Sequence, residues 1–266
     1  MAKWVFSKVG AKKSYHRHLV LAVLLLVLTA CFSQTDPVAR VQAAGVLRVA
    51  LDPSFPPFEF VDAANSATGI DVDLGVALAE SLGVEAHFVT TTYDGLYDAL
   101  IVGRADIIIS ALYPDPTRTR DFVFSTPYFN AGEMLVASEH SLAAIPEDLA
   151  GRRLAVVFGT DGHMVALGWE ERLTPPPVLV LEQSAAEALE ALATGEVEAA
   201  VVDGLAARVA AKSAPLMVVL VTDEPYVIAA RGVDTALIEA FDDTLDVMRG
   251  DGTLDLLLER WMAGER

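Results

Sequence analysis

Hydrophobic residues along the chain alternate between short β-branched runs and segments with helical spacing. The run 46–51 has the composition of a buried strand, and apolar residues then recur at helical spacing over 74–82. Strand-like runs follow at 86–90 and 107–109, with a short helix predicted over 95–101 between them. Strands and helices that alternate in this order predict a parallel sheet.

The same alternation restarts in the second half of the chain. Strand-like runs with apolar composition occur at 154–157, 178–181 and 199–202. Ser184 and Glu187 form the pattern of a capping box, which predicts a helix over 184–193. These segments predict a second α/β unit.

Two further strand-like runs, 134–138 and 226–230, have no helix directly before them. Apolar spacing then predicts two terminal helices, over 237–248 and 254–261. The predicted order is therefore an α/β unit, a crossover, a second α/β unit, a second crossover and a helical tail.

Composition and charge restrict the class of protein. The chain has 266 residues, of which 53% are hydrophobic and 21% charged, the balance of a globular protein. Lys and Arg number 19 against 37 Asp and Glu, a formal charge of −18. A nucleic-acid partner requires a basic surface that this balance does not provide, and a single Cys cannot form an internal disulfide.

The first thirty residues have the layout of a secretory signal, with basic residues before an apolar run over 19–28. The run ends in Leu28-Thr29-Ala30-Cys31, which resembles the lipobox of bacterial lipoproteins. We predict a lipoprotein signal peptide over 1–30, then a lipidated Cys31 and a tether over 31–45. Ordinary secretion with an incidental Cys31 is an alternative. A membrane-spanning anchor is a weaker one, because about ten apolar residues fall short of the ~20 required.

Chemically functional residues cluster directly after the predicted strands, where ligands bind in open α/β sheets. In the first unit these are Asp52, Phe55, Tyr93 and the run 110–118. In the second unit they are the run 159–162, Glu182 and Asp203. Two facing lobes would bring both sets together across a cleft.

Four segments share their order with a known family: 47–60 with Pro56-Pro57-Phe58-Glu59, 69–74, 106–125 with Arg118, and 195–203. Together they resemble the bacterial extracellular solute-binding proteins, family 3, which deliver polar amino acids to ABC transporters. The resemblance extends over 46–266. It implies two doubly wound α/β lobes joined by two crossover strands, with a ligand cleft between them. Lobe 1 would comprise 46–127 and 226–266, and lobe 2 would comprise 128–225.

The same resemblance implies a function. The protein would be an extracytoplasmic, lipid-anchored monomer that captures an amino acid by lobe closure and passes it to permease subunits. It would use no cofactor, bind no nucleic acid and contact the membrane only through its lipid. His87, His140 and His163 do not have the spacing of metal ligands, so we predict no metal site. The alternative is an enzyme similar to cyclohexadienyl dehydratases, with Asp203 or Glu182 as general acid.

The charged ends of an amino acid have matching residues in these motifs. By resemblance, Arg118 holds the carboxylate, since a guanidinium can form two parallel hydrogen bonds that Lys cannot. Asp203 would receive the ammonium. From the residues alone, a solvated surface arginine is the favoured interpretation of Arg118, and Asp203 is equally compatible with the N-cap of a following helix.

The remaining candidates shape the pocket. Phe55 and Tyr93 resemble the aromatic residues that sandwich the ligand, although core packing is an alternative. Ser110 and Ala111 would contribute main-chain groups. Thr160 lies at a predicted helix start, where free N–H groups accept an anion. We expect Asp161, which would repel that anion, to be a cap turned away from the cleft.

Two positions bear on specificity. Many relatives have a small hydroxyl residue at the position of Tyr113, so its ring reshapes the pocket. Asp52 is placed to meet a cationic side chain, although it can also stabilise a turn. Val157 and Val202 are apolar and argue against an amide ligand on that wall.

Overall fold

The computed structural model describes residues 36–262, except Leu142 and Ala144. The predicted signal peptide, Cys31 and the first residues of the tether lie outside this part. The strands are, in chain order, β1 (Val46–Leu51), β2 (Ser54–Phe55), β3 (Glu59–Val61), β4 (Ala67–Thr68), β5 (Glu85–Thr90), β6 (Ile107–Ile108), β7 (Phe122–Phe124), β8 (Phe129–Asn130), β9 (Glu133–Ser138), β10 (Arg153–Val157), β11 (Val178–Glu182), β12 (Ala199–Asp203), β13 (Leu216–Leu220), β14 (Pro225–Tyr226) and β15 (Ala229–Arg231).

The α-helices are α1 (Pro37–Ala44), α2 (Ile70–Ser81), α3 (Leu96–Ile101), α4 (Asp161–Arg172), α5 (Ala185–Thr194), α6 (Gly204–Ser213), α7 (Thr235–Asp251) and α8 (Thr253–Met262). Short 3₁₀ helices occur at Tyr93–Gly95, Pro146–Leu149 and Gly232–Asp234. Within the described ranges, every helix is too short or too polar to cross a bilayer.

Two separate sheets confirm the predicted fold class of two α/β lobes. The sheet of lobe 1 has the order β5-β1-β6-β15-β7, and the sheet of lobe 2 has the order β11-β10-β12-β9-β13. In lobe 1, β1 pairs in parallel with both β5 and β6, and in lobe 2, β10 pairs in parallel with both β11 and β12. β15 and β9, which follow the connections between the lobes, pair antiparallel with β6 and β12. β2, β3 and β4 form a small additional sheet beside lobe 1.

Helices cover both faces of each sheet, which explains the continuous apolar runs of the central strands. In lobe 1, Val49 and Ile107 face α2 and α7, whereas Ala50 and Ile108 face α3. In lobe 2 the same alternation directs one face of the sheet to α4 and the other face to α5 and α6. Each lobe therefore has its own pair of hydrophobic clusters.

The connections between the lobes pass through β8 and β14, which pair antiparallel with Tyr226 opposite Phe129. Both residues are buried and pack with Phe58 of lobe 1, at ring-centroid distances of 5.0 Å for Tyr226 and 5.1 Å for Phe129. The connecting strands are therefore anchored on the core of lobe 1.

The prediction of an irregular tether up to residue 45 is wrong for residues 37–44, which form α1. Asp36 caps this helix by accepting the N–H of Val38, Pro37 occupies its first turn, and Gly45 ends it at φ 68°. Val41 is buried in the lobe 1 core, so the folded part begins before Val46.

Candidate functional site

A cavity of about 410 Å³ lies at the carboxyl ends of β1, β5 and β6, the edge at which ligands bind in such sheets. We call it the lobe 1 cavity. Its lining residues are Asp52, Ser54, Phe55, Glu59, Tyr93, Ser110, Ala111, Tyr113 and Tyr226. The structure thus brings together six predicted residues: Asp52, Phe55, Tyr93, Ser110, Ala111 and Tyr113. It places Arg118, Thr160 and Asp203 outside this lining.

Asp52 is fixed in orientation by the main chain around it. Its Oδ2 accepts the N–H of Tyr93 at 2.9 Å, and its own N–H donates to Ser110 Oγ at 3.0 Å. The carboxylate therefore lies at the cavity wall with its geometry set before any ligand arrives, as a preorganised cation site requires.

Aromatic rings form the accessible walls of the lobe 1 cavity. Phe55, Tyr93 and Tyr113 are 48%, 45% and 43% exposed, so these rings are not core residues. Phe55 stacks on the buried Phe58 at 5.8 Å, and Tyr113 meets Tyr226 edge-on at 5.1 Å. Exposed rings backed by buried rings offer flat faces to a cation or an aliphatic chain.

Ser110 and Ala111 occupy the cavity floor, but their polar groups already have partners. Ala111 has a positive φ of 40°, uncommon for a residue with a side chain, and its N–H donates to Asp71 Oδ2 at 2.6 Å. The hydroxyl of Ser110 donates to Glu59 Oε1 at 2.8 Å. The N–H of Ala111 is therefore directed into the protein rather than toward a ligand.

Glu59 and Asp71 form a buried pair of carboxyl groups beneath this floor, and they are 1% and 0% exposed. Burial first, and then the charge of Asp71, raises the pKa of Glu59 to about 10. Burial also raises the pKa of Asp71 to about 6, although three hydrogen bonds oppose this shift. The pair therefore holds one proton at neutral pH. The sequence reasoning missed Glu59 as a site residue, although an acid between Phe58 and Phe60 on a short strand was a visible signal.

We expect Glu59→Gln to change how stability depends on pH. Because the folded-state pKa of Glu59 is raised, the native state binds a proton that the unfolded state has lost between about pH 5 and about pH 9. Wild-type stability should fall across this window, by at most about 1.4 kcal/mol per pH unit. Gln has no such proton to lose. The free energy of unfolding measured in urea should therefore rise for the variant relative to wild type as the pH increases. Glu80→Gln on the exposed side of α2 is the control; parallel profiles for Glu59→Gln and wild type would contradict the shift.

Arg118 lies outside the lobe 1 cavity and contacts Asp115 of its own loop and Tyr97 of α3. Its Nε donates to Asp115 Oδ2 at 3.0 Å, and its guanidinium lies 4.4 Å from the centre of the Tyr97 ring. The side chain is 47% exposed. The guanidinium is therefore accessible to solvent, and it is paired with the carboxylate of Asp115.

The start of α4 in lobe 2 contains two candidate residues from the sequence, Thr160 and Asp161. Thr160, in extended conformation, is the N-cap, since its Oγ1 accepts the N–H of His163. The expectation that Asp161 is the cap is therefore wrong, because Asp161 is already the first helical residue. Burial first, and then the charges of Glu224 and Asp161, raise the pKa of Tyr113 in the lobe 1 cavity.

The N–H of Gly162 in the same helix start donates to Glu133 Oε1 at 3.0 Å. Glu133 is 8% exposed, and its pKa is raised first by burial and then by the charges of Asp203, Glu224 and Asp161. The sequence predicts that free N–H groups at this helix start accept an anion. One of them, that of Gly162, is already bonded to a carboxylate of the protein itself.

Asp203 caps α6, with Oδ1 accepting the N–H of Ala206 at 2.9 Å. The N-cap alternative is therefore present in the structure. Val202 is buried in the apolar cluster beneath α5 and α6, so its side chain does not line the lobe 1 cavity. In the part of the chain that the structure describes, we find no group of His, Cys, Asp and Glu that could hold a metal ion.

Asp203 caps α6 and is also the predicted contact for the ligand ammonium, and the variant Asp203→Ala tests both roles. Loss of the cap should lower the free energy of unfolding by about 1 kcal/mol. If Asp203 also receives the ligand ammonium, ligand affinity should fall as well, beyond what Ser184→Ala, which removes the cap of α5, produces. Chemical unfolding and calorimetric titration of both variants separate the two effects; an affinity that changes equally in both would remove the binding role.

Comparisons with known proteins agree with this architecture. The family model of bacterial extracellular solute-binding proteins, family 3, matches residues 47–264. The chain is 30% identical over 238 residues to a probable amino-acid ABC transporter-binding protein of Haemophilus influenzae, covering 86% of this chain and 90% of the relative.

Solved structures include relatives of both functional classes. An ancestral cationic amino acid solute-binding protein matches with 34% identity and a TM-score of 0.57, covering 85% of this chain and 99% of the other. An ancestral cyclohexadienyl dehydratase matches with 25% identity and a TM-score of 0.69, covering 86% of this chain and 98% of the other. Fold similarity alone therefore does not separate a binding protein from an enzyme.

Proposed function

The chain belongs to the bacterial extracellular solute-binding proteins of family 3, and from this premise we propose that it binds an L-amino acid with a cationic side chain for an ABC transporter. The observation that supports this ligand class is the lining of the lobe 1 cavity, where the Asp52 carboxylate lies among the exposed rings of Phe55, Tyr93 and Tyr113. An ammonium or guanidinium group between aromatic faces and a carboxylate is stabilised by both.

The charge around the cleft supports the same ligand class. Glu224 Oε2 lies 3.4 Å from the Tyr113 hydroxyl, and the charges of Glu224, Asp161 and Asp203 all contribute to the raised pKa of Glu133. A net negative cleft attracts a ligand that carries an extra positive charge and repels an acidic one. Aspartate and glutamate are therefore the amino acids this site excludes most strongly.

In the proposed mechanism, Arg118 exchanges its contact with Asp115 for the α-carboxylate of the ligand. Lobe 2 then closes on the lobe 1 complex, and Thr160 and Asp203 supply contacts that only the closed form makes. A ligand shifts an equilibrium between two forms only through such differential contacts. The closed form is the one that permease subunits would recognise.

The position in the cell is part of the proposal. A signal peptide over 1–30 and a lipid on Cys31 would hold a monomeric binding domain on the outer side of the cell membrane. The family assignment supports an extracytoplasmic location. Metabolic labelling with a radioactive fatty acid tests the anchor, since wild type should incorporate label and Cys31→Ser should not.

An enzyme similar to cyclohexadienyl dehydratases is the second candidate, supported by the match to the ancestral dehydratase. The two acids considered for catalysis lie outside the lining of the lobe 1 cavity, and Asp203 is occupied as a helix cap. The relative from Haemophilus influenzae is a transport-binding protein. We therefore favour binding over catalysis.

A panel experiment separates these functions. The purified protein should show its largest thermal stabilisation with arginine, lysine or ornithine, smaller shifts with neutral amino acids, and none with aspartate or glutamate. Stabilisation by cystine or glutamine above the cationic amino acids would contradict the ligand class. Turnover of arogenate or prephenate in the same preparation would contradict the binding function.

A further inference from the structure

Glu59 holds a position that the proposed binding mechanism does not yet use. It lines the lobe 1 cavity although it is 1% exposed, and its Oε1 accepts the hydroxyl of Ser110 at 2.8 Å. Its Oε2 is buried without a donor from any described residue, and the adjacent carboxyl group is that of Asp71. One oxygen of Glu59 is therefore free to carry a proton toward Asp71.

Asp71 uses its own oxygens elsewhere. Its Oδ1 accepts the hydroxyl of Tyr128 at 2.9 Å, and its Oδ2 accepts the N–H of Ala111 at 2.6 Å. Among residues 36–262 as described, no Lys, Arg or His forms an ion pair with Glu59 or Asp71. Two buried carboxyl groups without a cation cannot both ionise, so they share a proton.

Ser110 connects this pair to the site proposed for the ligand. Its Oγ accepts the N–H of Asp52 at 3.0 Å while donating to Glu59. The charge of Asp52 also contributes to the raised pKa of Glu59, which places the two carboxyl groups within electrostatic range. A positive group that neutralises Asp52 therefore also favours the ionised form of Glu59.

The four tyrosine hydroxyls around Glu59 and Asp71 stay neutral near pH 7. Tyr93, Tyr113 and Tyr226 face the cavity, and Tyr128 contacts Asp71; burial raises the pKa of each of these four phenols. The buried groups whose charge can change in response to a ligand are thus Glu59 and Asp71.

We propose that binding of a cationic amino-acid side chain at Asp52 expels the proton shared by Glu59 and Asp71, so that Glu59 becomes a second carboxylate beneath the ligand. The O–H bond breaks, its electron pair stays on the carboxylate, and the proton passes to a base in the solvent. Glu59 is then a positioning residue that favours cationic over neutral ligands. This inference rests on the proposed function, since it requires a positively charged ligand.

Proton release can be counted by titrating the purified protein with L-arginine in buffers of different ionisation enthalpy. The wild type should release a fraction of a proton per arginine, and the fraction should grow between about pH 7 and about pH 8.5 as the solvent accepts the proton more readily. Its Kd should tighten over the same range. Glu59→Gln, which keeps an acceptor for Ser110 and a donor for Asp71, should lose both effects.

Glu80→Gln is the control, because Glu80 is an exposed acid on α2, the helix that carries Asp71, and does not line the lobe 1 cavity. It should release protons as the wild type does. Arginine binding without proton release in the wild type, equal release in Glu59→Gln, or loss of release only in Glu80→Gln would overturn the role of Glu59 and leave the proposed function intact. If arginine, lysine and ornithine all fail to bind, the proposed ligand class and the role of Glu59 both fail.

Discussion

Replacing Arg118 with Ala should weaken amino-acid binding by about 2 to 5 kcal/mol, or roughly 30- to 5,000-fold in Kd. In the closed cleft the variant would leave the ligand carboxylate desolvated and without a partner. The cost is expected even though Arg118 contacts Asp115 in the structure, because the exposed guanidinium can exchange this carboxylate for that of the ligand. Calorimetric titration with the best ligand of the panel measures the loss.

Two variants control for general effects of charge. Arg120→Ala removes an exposed arginine of the same loop and should leave the affinity close to that of wild type. Arg118→Lys should recover only part of the affinity, because an ammonium cannot reproduce the paired hydrogen bonds of a guanidinium. Unchanged affinity in Arg118→Ala would remove the residue from the binding site.

The second large effect is expected for Asp52→Asn. Loss of a charged hydrogen-bond partner costs about 1.5 to 3 kcal/mol, so arginine or lysine should bind roughly 10- to 150-fold more weakly. Asn preserves the size of the side chain and can still accept the N–H of Tyr93. The affinity for neutral amino acids should therefore change little, so the difference in affinity between cationic and neutral amino acids should become smaller.

Asp94→Asn is the matched control for this effect. Asp94 is exposed, lies one residue from Tyr93 and is not part of the cavity lining, so it tests the influence of a nearby charge without contact. A comparable loss of arginine affinity in Asp94→Asn and Asp52→Asn would show a general electrostatic effect. Equal losses for arginine and a neutral amino acid in Asp52→Asn would contradict the role given to its charge.

Most of the central strands could be predicted from the sequence because each is a short, continuous apolar run. The runs at 46–51 and 154–157 became β1 and β10 within a residue, since buried strands of an α/β sheet are continuously apolar. The capping box before α5 is also present, although Glu187 accepts the N–H of Gln183 rather than that of Ser184.

Some short elements were missed. α1 has only eight residues, and its caps Asp36 and Gly45 were the available signals. The edge strand β13 was not predicted, and α6 was indicated only by Asp203 as an alternative N-cap. In each case packing against a neighbouring element stabilises the segment more than its own pattern does.

The candidate site was predictable in part, for a related reason. The rule that ligands bind after the strands located Asp52, Tyr93 and Ser110 at one edge of the lobe 1 sheet. Glu59 and Asp71 are separated along the chain and meet only when β3 and α2 pack together. The contact of Glu133 with α4 likewise depends on tertiary structure, and local sequence carries little information on such pairings.

A crystal structure of the protein with its tightest-binding amino acid tests the central claim most directly. We expect the ligand in the lobe 1 cavity, with its positively charged side chain against Asp52 between the rings of Phe55 and Tyr93. Arg118 should have left Asp115 for the α-carboxylate, with lobe 2 closed over the complex. An amino acid bound outside this cavity, or bound within it while Arg118 stays on Asp115, would contradict the mechanism proposed for this chain.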